Sequence, residues 1–278
     1  MTYKIISDSS SNRFEMEGVN YATVPLKIIT QAKEYIDDKQ LDVACMVEEI
    51  KQQSGKSRSS CPNPQEWLDA FGDADCIFAI TITSNLSGSY SSAMNAREEY
   101  LNFHPNAKVC VLDSLSTGGE MLLVIEKLRE LIQAGLEFEE IETQIRDYMK
   151  HTHLLFALKS LTNLARNGRV SPAAAALAGA LGICVVGKAS NEGTLQQLHK
   201  CRGERKALKC TLECMKEMGF SGGKVRIDHC LNPEAANQLR DLILREYPQC
   251  DVQIGTCTAL CSFYAEKGGF LLGFEDAL

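Results

Sequence analysis

The chain has 278 residues, 45% of them hydrophobic and 23% charged, with 36 acidic against 29 basic side chains and a formal net charge of -7. At this length folding buries roughly 75% of the unfolded surface, so stability need not come from disulfides or a structural metal. The acidic balance, with no basic block longer than the loose run from Lys200 to Lys209, excludes a grip on nucleic acid along its phosphates and favours a small-molecule partner.

Taken in chain order, short apolar runs alternate with amphipathic segments of helical length, the pattern of an α/β protein. Strands are expected over 3–7, 21–30, 76–81 and 109–112. Helices are expected over 42–53, 63–71, 87–103, 117–133 and 138–150, and strands separated by helices favour a parallel, Rossmann-like sheet. A second series starts near His153 with the strand HLLFAL, a short helix over 161–166 ended by Asn167 and Gly168, an alanine-rich helix over 173–181 and a strand over 183–187. The Asn191-Glu192-Gly193 turn marks a hairpin, so this half carries a mixed sheet. A helix over 204–218, a strand over 224–230, a helix over 234–247 and a strand over 251–256 complete it. We expect two domains, 1–157 and 158–278, packed closely enough to leave a ligand cleft between them.

The N-terminal stretch lacks the apolar core of a signal peptide, and no window approaches the ~20 apolar residues of a membrane span. A cytoplasmic protein without stable membrane insertion is expected. The twelve cysteines are scattered, and Cys45, Cys76, Cys110, Cys184 and Cys230 lie in or beside apolar runs, where free Cys behaves as a small hydrophobe.

Chemistry concentrates in a few loops. In TITSNLSGSY, over 81–90, an apolar strand runs through a Ser/Gly turn into a helix. Ser87 is placed to cap that helix and Gly88 to let a backbone or ligand approach closely, and such a helix start attracts a phosphate or carboxylate. A second hydroxyl cluster, KSRSSCP over 56–62, lies at a connection of the same sheet, and open α/β sheets bind ligands at the carboxyl ends of their strands. Asp8 and Asp113 each follow a strand. They are candidate Mg²⁺ ligands for phosphoryl chemistry or simple organisers of their turns. Neither Cys210-x-x-x-Cys214 nor Cys257-x-x-x-Cys261 has a second ligand pair in sequence, and the histidines lack the spacing of a zinc helix. Arg169 in NGRVS and Arg202 in CRG stand beside Gly turns, where a guanidinium can meet a carboxylate or phosphate.

Together these motifs resemble the DegV family of bacterial fatty-acid-binding proteins over nearly the whole chain. The matching stretches are SDSS over 7–10 (TDST in the family), Val24-Pro25-Leu26, SSCP over 59–62 (TSQP), TSNLSGSY over 83–90 (SSGLSGTY), Leu112-Asp113-Ser114, NGRVS over 167–171 (GGRIS), Arg202 in RGERKA (RTRKKA) and a closing stretch over 268–274. Each is weak alone, and their order and spacing are specific. The resemblance implies a long-chain fatty acid such as palmitate, stearate or oleate, held in an apolar tunnel with its carboxylate on Ser59, Ser60 and Ser87, while Gly88 and Ser89 shape the turn. It implies no cofactor, no metal and no catalytic residue of the chain's own. The bound acid is presented to a separate fatty acid kinase, with Arg169 and Arg202 associated with that step. Where the family has a His-Thr-Gly-Pro-Gly-like run this chain has Tyr264-Ala265-Glu266-Lys267-Gly268, so Tyr264 stands at the histidine position. A phenol can donate to a carboxylate, but an ordinary pKa of about 10 makes it a poor proton shuttle at neutral pH.

Overall fold

The computed structural model describes residues 1–53, 55–173 and 182–276. In chain order the strands of the first half are β1 (Tyr3–Asp8), β2 (Tyr21–Val24), β3 (Lys27–Ile29), β4 (Glu34–Ile36), β5 (Arg58–Ser60), β6 (Cys76–Thr81) and β7 (Lys108–Asp113). Its helices are α1 (Val43–Gln52), α2 (Pro64–Phe71), α3 (Ser89–Phe103), α4 (Gly118–Gln133) and α5 (Phe138–Tyr148). The second half holds β8 (Thr152–Leu158), α6 (Thr162–Arg166), β9 (Ile183–Ala189), β10 (Leu195–Arg202), α7 (Glu204–Glu217), β11 (Lys224–His229), α8 (Pro233–Glu246), β12 (Asp251–Thr256), α9 (Ala259–Ala265) and β13 (Phe270–Glu275).

The first sheet is wholly parallel, in the order β2-β1-β6-β7. Its central strand β6 reads CIFAIT and is buried along its whole length, as expected of a strand with both faces covered by helices. One face meets α4 and α5, where Phe78 stacks on Phe138. The other meets α2 and α3 around Trp67, Phe71 and Tyr100. A capping box on Asn63 and Glu66, with Pro64 at the first helical position, starts α2 where its sequence signals put it.

The second sheet is mixed, in the order β10-β9-β8-β13-β11-β12, with the expected β9–β10 hairpin at its edge. Strand β8 shows the period-2 logic of such a sheet. Leu154, Phe156 and Leu158 face inward, toward the first half, whereas Leu155 and Ala157 pack outward under α7 and α8. All of β8 pairs within this sheet. A division of the chain that keeps the sheet whole therefore falls just before Thr152, and we propose that limit in place of 157/158.

Three expectations need correction. The strand expected over 21–30 is two strands in two sheets, because Pro25 has no N–H to continue a ladder. The Leu26 N–H goes instead to Ser9 Oγ at 3.0 Å, and β3 then pairs with β4 and β5 in a small antiparallel sheet. The loop expected over 56–62 accordingly contains a strand, with Ser59 opposite Ile28. Helix α3 starts at Ser89, two residues after the expected cap, and Ser87 Oγ accepts only the Ser89 N–H, at 3.3 Å. The alanine-rich helix expected over 173–181 falls, but for its first residue, outside the described residues.

Candidate functional site

Strand order places the site. The chain leaves β1 toward β2 on one side and β6 on the other, so a crevice opens at the carboxyl ends of β1 and β6, the usual ligand position in an open α/β sheet. Asp8 fills the floor of that crevice. It is fully buried and its carboxylate accepts from Ile82 N at 2.9 Å, Ser89 Oγ at 2.7 Å, and both the N–H and the hydroxyl of Ser10. Burial pushes its pKa up while those bonds hold it down. Asp113 ties two loops together, accepting from Leu115 N in its own turn and from Ser84 N in the loop after β6, at 3.1 Å each. The two residues stand on strands separated by β6, and each carboxylate is taken up by N–H and hydroxyl donors of the surrounding loops rather than turned toward a common ion. The paired-carboxylate reading therefore fails, and both residues organise turns.

Above this floor lies an apolar pocket of about 640 Å³, its open mouth included. Leu154, Phe156, Leu158 and Leu271 of the second sheet form one wall; Leu26 and Ile82 of the first half face them, and α9 closes the side with Leu260 and Cys261. The cavity thus lies between the two halves, as expected.

Its polar lining gathers in one place. Ser59 Oγ and the Tyr264 hydroxyl are 2.7 Å apart. The Arg169 guanidinium sits 5.9 Å from the centre of the Tyr264 ring and donates through Nε to Leu86 O at 3.3 Å, next to Ser87. Ser59, Ser87, Arg169 and Tyr264 all line the pocket. Burial pushes the Tyr264 phenol above its ordinary pKa against the opposing effects of Ser59 and Arg169, so it stays protonated and able to donate. Thr117 also lines the cavity, but its hydroxyl is engaged with Ser10 O at 3.1 Å.

The other expected residues are distributed differently. Ser60 follows Ser59 on a strand, where neighbours point to opposite faces, and its hydroxyl goes to Cys61 O at 3.3 Å. Ser89 is fully buried and committed to Asp8. Gly88 joins the two hydroxyl loops: a Cβ there would come within 3.1 Å of Cys61 Sγ. Arg202 is exposed at the end of the edge strand β10 and does not line the pocket.

The family model for "Uncharacterised protein, DegV family" matches residues 2–275. The chain belongs to the DegV family. A DegV domain-containing protein of Streptococcus gordonii is 41% identical over 279 residues, covering 99% of each chain. Among solved structures, a DegV family protein from Eubacterium eligens loaded with heptadecanoic acid superposes with a TM-score of 0.98 at 44% identity, covering 99% of this chain and all of that one. The Streptococcus pneumoniae Fatty Acid Kinase (Fak) B3 protein loaded with linoleic acid does so with a TM-score of 0.98 at 40% identity, each chain covered in full.

Sequence reasoning missed the part of this DegV chain that holds Tyr264 in place. Asp37, after β4, is buried and caps α9, accepting from Ala259 N at 2.7 Å, Leu260 N at 3.0 Å and Thr258 Oγ1 at 3.1 Å. Burial raises its pKa to about 6 against those bonds. A cap 222 residues away in sequence leaves no local signal, although Thr258 before an apolar run was a visible helix start.

Proposed function

We infer that this chain binds one long-chain fatty acid between its two halves, the acyl chain in the apolar pocket and the carboxylate at the Ser59, Ser87, Tyr264 and Arg169 cluster. The observation that carries the reading is a cavity walled mainly by Leu, Ile and Phe whose lining also holds Ser59 hydrogen-bonded to Tyr264, Arg169 near the Tyr264 ring, and Ser87. Burial of an acyl chain at ~0.8 kcal/mol per methylene supplies more than ten kcal/mol gross for about sixteen carbons, before ordering costs. The head group then needs orientation more than affinity, and neutral hydroxyls beside one cation provide it.

Relatives more than a third identical that carry heptadecanoic and linoleic acid support ligands of the length of palmitate, stearate or oleate. The likeness to Fak B3 supports a carrier that hands its acid to a fatty acid kinase and performs no chemistry itself, with no further cofactor. Arg169 at the pocket and Arg202 on the edge strand are the residues we assign to that encounter, with Ser60, Gly88 and Ser89 shaping the loops rather than touching the ligand. No helix among the described residues is long and apolar enough to cross a membrane, and we place the protein in the cytoplasm. Denaturing extraction of the purified protein followed by lipid mass spectrometry should yield a fatty acid in 1:1 ratio. Protein that is empty and also fails to take up labelled palmitate or oleate overturns the reading.

A further inference from the structure

We propose that His199, Cys210 and Cys214 form a zinc-binding site on the outer face of the second sheet, with Cys201 beside it as a fourth ligand. The sequence pairs Cys210 with Cys214 on one face of α7, four residues apart, and offers no second pair nearby in the usual zinc spacing. The fold supplies it from β10. Strand alternation alone would put His199 and Cys201 on the same side as Leu195, which faces the pocket. The register with β9 slips between Gln197 and His199, and a one-residue bulge turns every later side chain to the opposite face. Leu195 accordingly packs with the inner cluster and Cys201 with the outer one, under α7.

The ligand atoms of His199, Cys210 and Cys214 lie within 4.8 Å of one another. Zinc bonds of about 2.3 Å to sulfur and 2.0–2.1 Å to nitrogen at a tetrahedral angle place such atoms roughly 3.5–3.8 Å apart, so closure around these three asks for side-chain movements of about an ångström, and Cys201, outside that group, has to swing further to complete the site. The Cys210 thiol borders those of Cys214 and Cys201. Exposure falls in steps from His199, which is exposed, through the half-buried Cys210 to the buried Cys214, giving an ion a path in from solvent. Two thiolates and an imidazole suit zinc and exclude magnesium or calcium. Zinc there would pin the edge strand β10 to α7 and stabilise the folded state by mass action. It would do so across the sheet from the pocket, since Val185 of β9 faces the inner cluster and Cys184 and Val186 the outer one.

The test uses the full chain, kept reduced and stripped with a chelator, titrated with Zn²⁺ against a chromophoric competitor and separately with Co²⁺. One equivalent of tight zinc, a higher melting temperature with Zn²⁺, and a cobalt spectrum with thiolate charge transfer and intense tetrahedral bands are expected. His199→Gln and Cys210→Ser, both on the solvent side of the site, should each weaken zinc binding by more than the ~10-fold typical of losing an outer hydrogen-bond partner of a ligand. Cys45→Ser, an exposed thiol elsewhere, should leave it unchanged. No tight equivalent, an octahedral cobalt spectrum, parental affinity in His199→Gln and Cys210→Ser, or as large a loss in Cys45→Ser as in those variants overturns the proposal. None of these outcomes bears on lipid content, which is measured separately on the same samples.

Discussion

At the proposed head-group cluster, Tyr264 and Ser87 contribute differently from Ser89, although all three carry hydroxyls. The Tyr264 phenol, 2.7 Å from Ser59 Oγ and beneath Arg169, is a donor held protonated by burial. Ser87 accepts the Ser89 N–H, which fixes its oxygen and leaves its O–H to donate into the pocket. Ser89 spends its hydroxyl on the buried carboxylate of Asp8 at 2.7 Å. Tyr264→Phe and Ser87→Ala should each weaken fatty-acid binding by about 1–3 kcal/mol, the range for losing a hydrogen bond to a charged acceptor, with the melting temperature little changed. Ser89→Ala should do the reverse, lowering stability by a similar amount because Asp8 loses a donor where no water reaches it, with affinity nearly intact. Displacement of a fluorescent fatty acid and thermal denaturation, run on all three variants, separate the cases. Parental affinity in both Tyr264→Phe and Ser87→Ala would remove these residues from the head-group site.

Helix α4 is the element that locks the halves together, and it does so through glycine. A Cβ on Gly119 would stand 2.2 Å from Arg226 O and 2.8 Å from Gly273 N, and one on Gly273 would stand 2.1 Å from Glu120 N. Backbone meets backbone here, so no side chain can yield. Two effects of Gly119→Ala oppose each other: alanine favours a helix by up to ~1 kcal/mol over glycine, while overpacking costs typically ~1–3 kcal/mol and more against immovable atoms. Sterics should win, and urea denaturation should find the variant less stable by at least about 1 kcal/mol; a more stable variant would show the helix to be loosely docked. Nothing in the GGE triplet distinguishes this role from an ordinary flexible helix start. The same limit recurs elsewhere. CIFAIT was legible as a continuous apolar run and the helices by their apolar stripe, because burial there acts on several consecutive residues at once. The three-residue strand β5, the bulge in β10 and the cap on α9 depend on partners far along the chain and carry no period. Of the candidate site, the two hydroxyl loops stand out in the sequence by turn chemistry and family motifs, whereas the directions of the Ser60 and Ser89 hydroxyls depend on the pairing of β5 and the burial of Asp8, which no local pattern encodes.

Across the whole molecule the two sheets are joined by buried polar groups as well as by apolar contact. Arg226 of β11 binds Glu126 of α4 through Nε at 3.0 Å and Nη2 at 2.8 Å and reaches Asp251 at 2.7 Å, almost wholly shielded from solvent. Asn12 bridges Asp228 and the Thr258 N–H at 3.0 and 2.9 Å. Those groups carry matched partners; Glu120 does not. Its carboxyl, buried at the seam between α4 and β8, accepts from the Thr152 hydroxyl at 3.0 Å and faces no cation within ion-pair distance among the described residues. Burial pushes its pKa from 4.5 up to about 7, against the hydrogen bonds from Ser116 and Thr152. Because the folded-state value is the higher one, the folded protein holds this proton between about pH 4.5 and 7 while the unfolded chain has released it. The contribution of Glu120 to stability is therefore fully present below that window and is lost as pH rises through it, by on the order of 3 kcal/mol. Glu120→Gln keeps the shape and an acceptor for Thr152 but cannot ionise. The stability of the variant minus that of the parent, from urea denaturation at successive pH values, should climb between pH 5 and 8. The subtraction removes the parallel effect of Asp37, whose pKa near 6 is common to both proteins. A difference that stays flat over that range would mean that Glu120 ionises in the folded state as easily as it does in water, and that the seam is open to solvent.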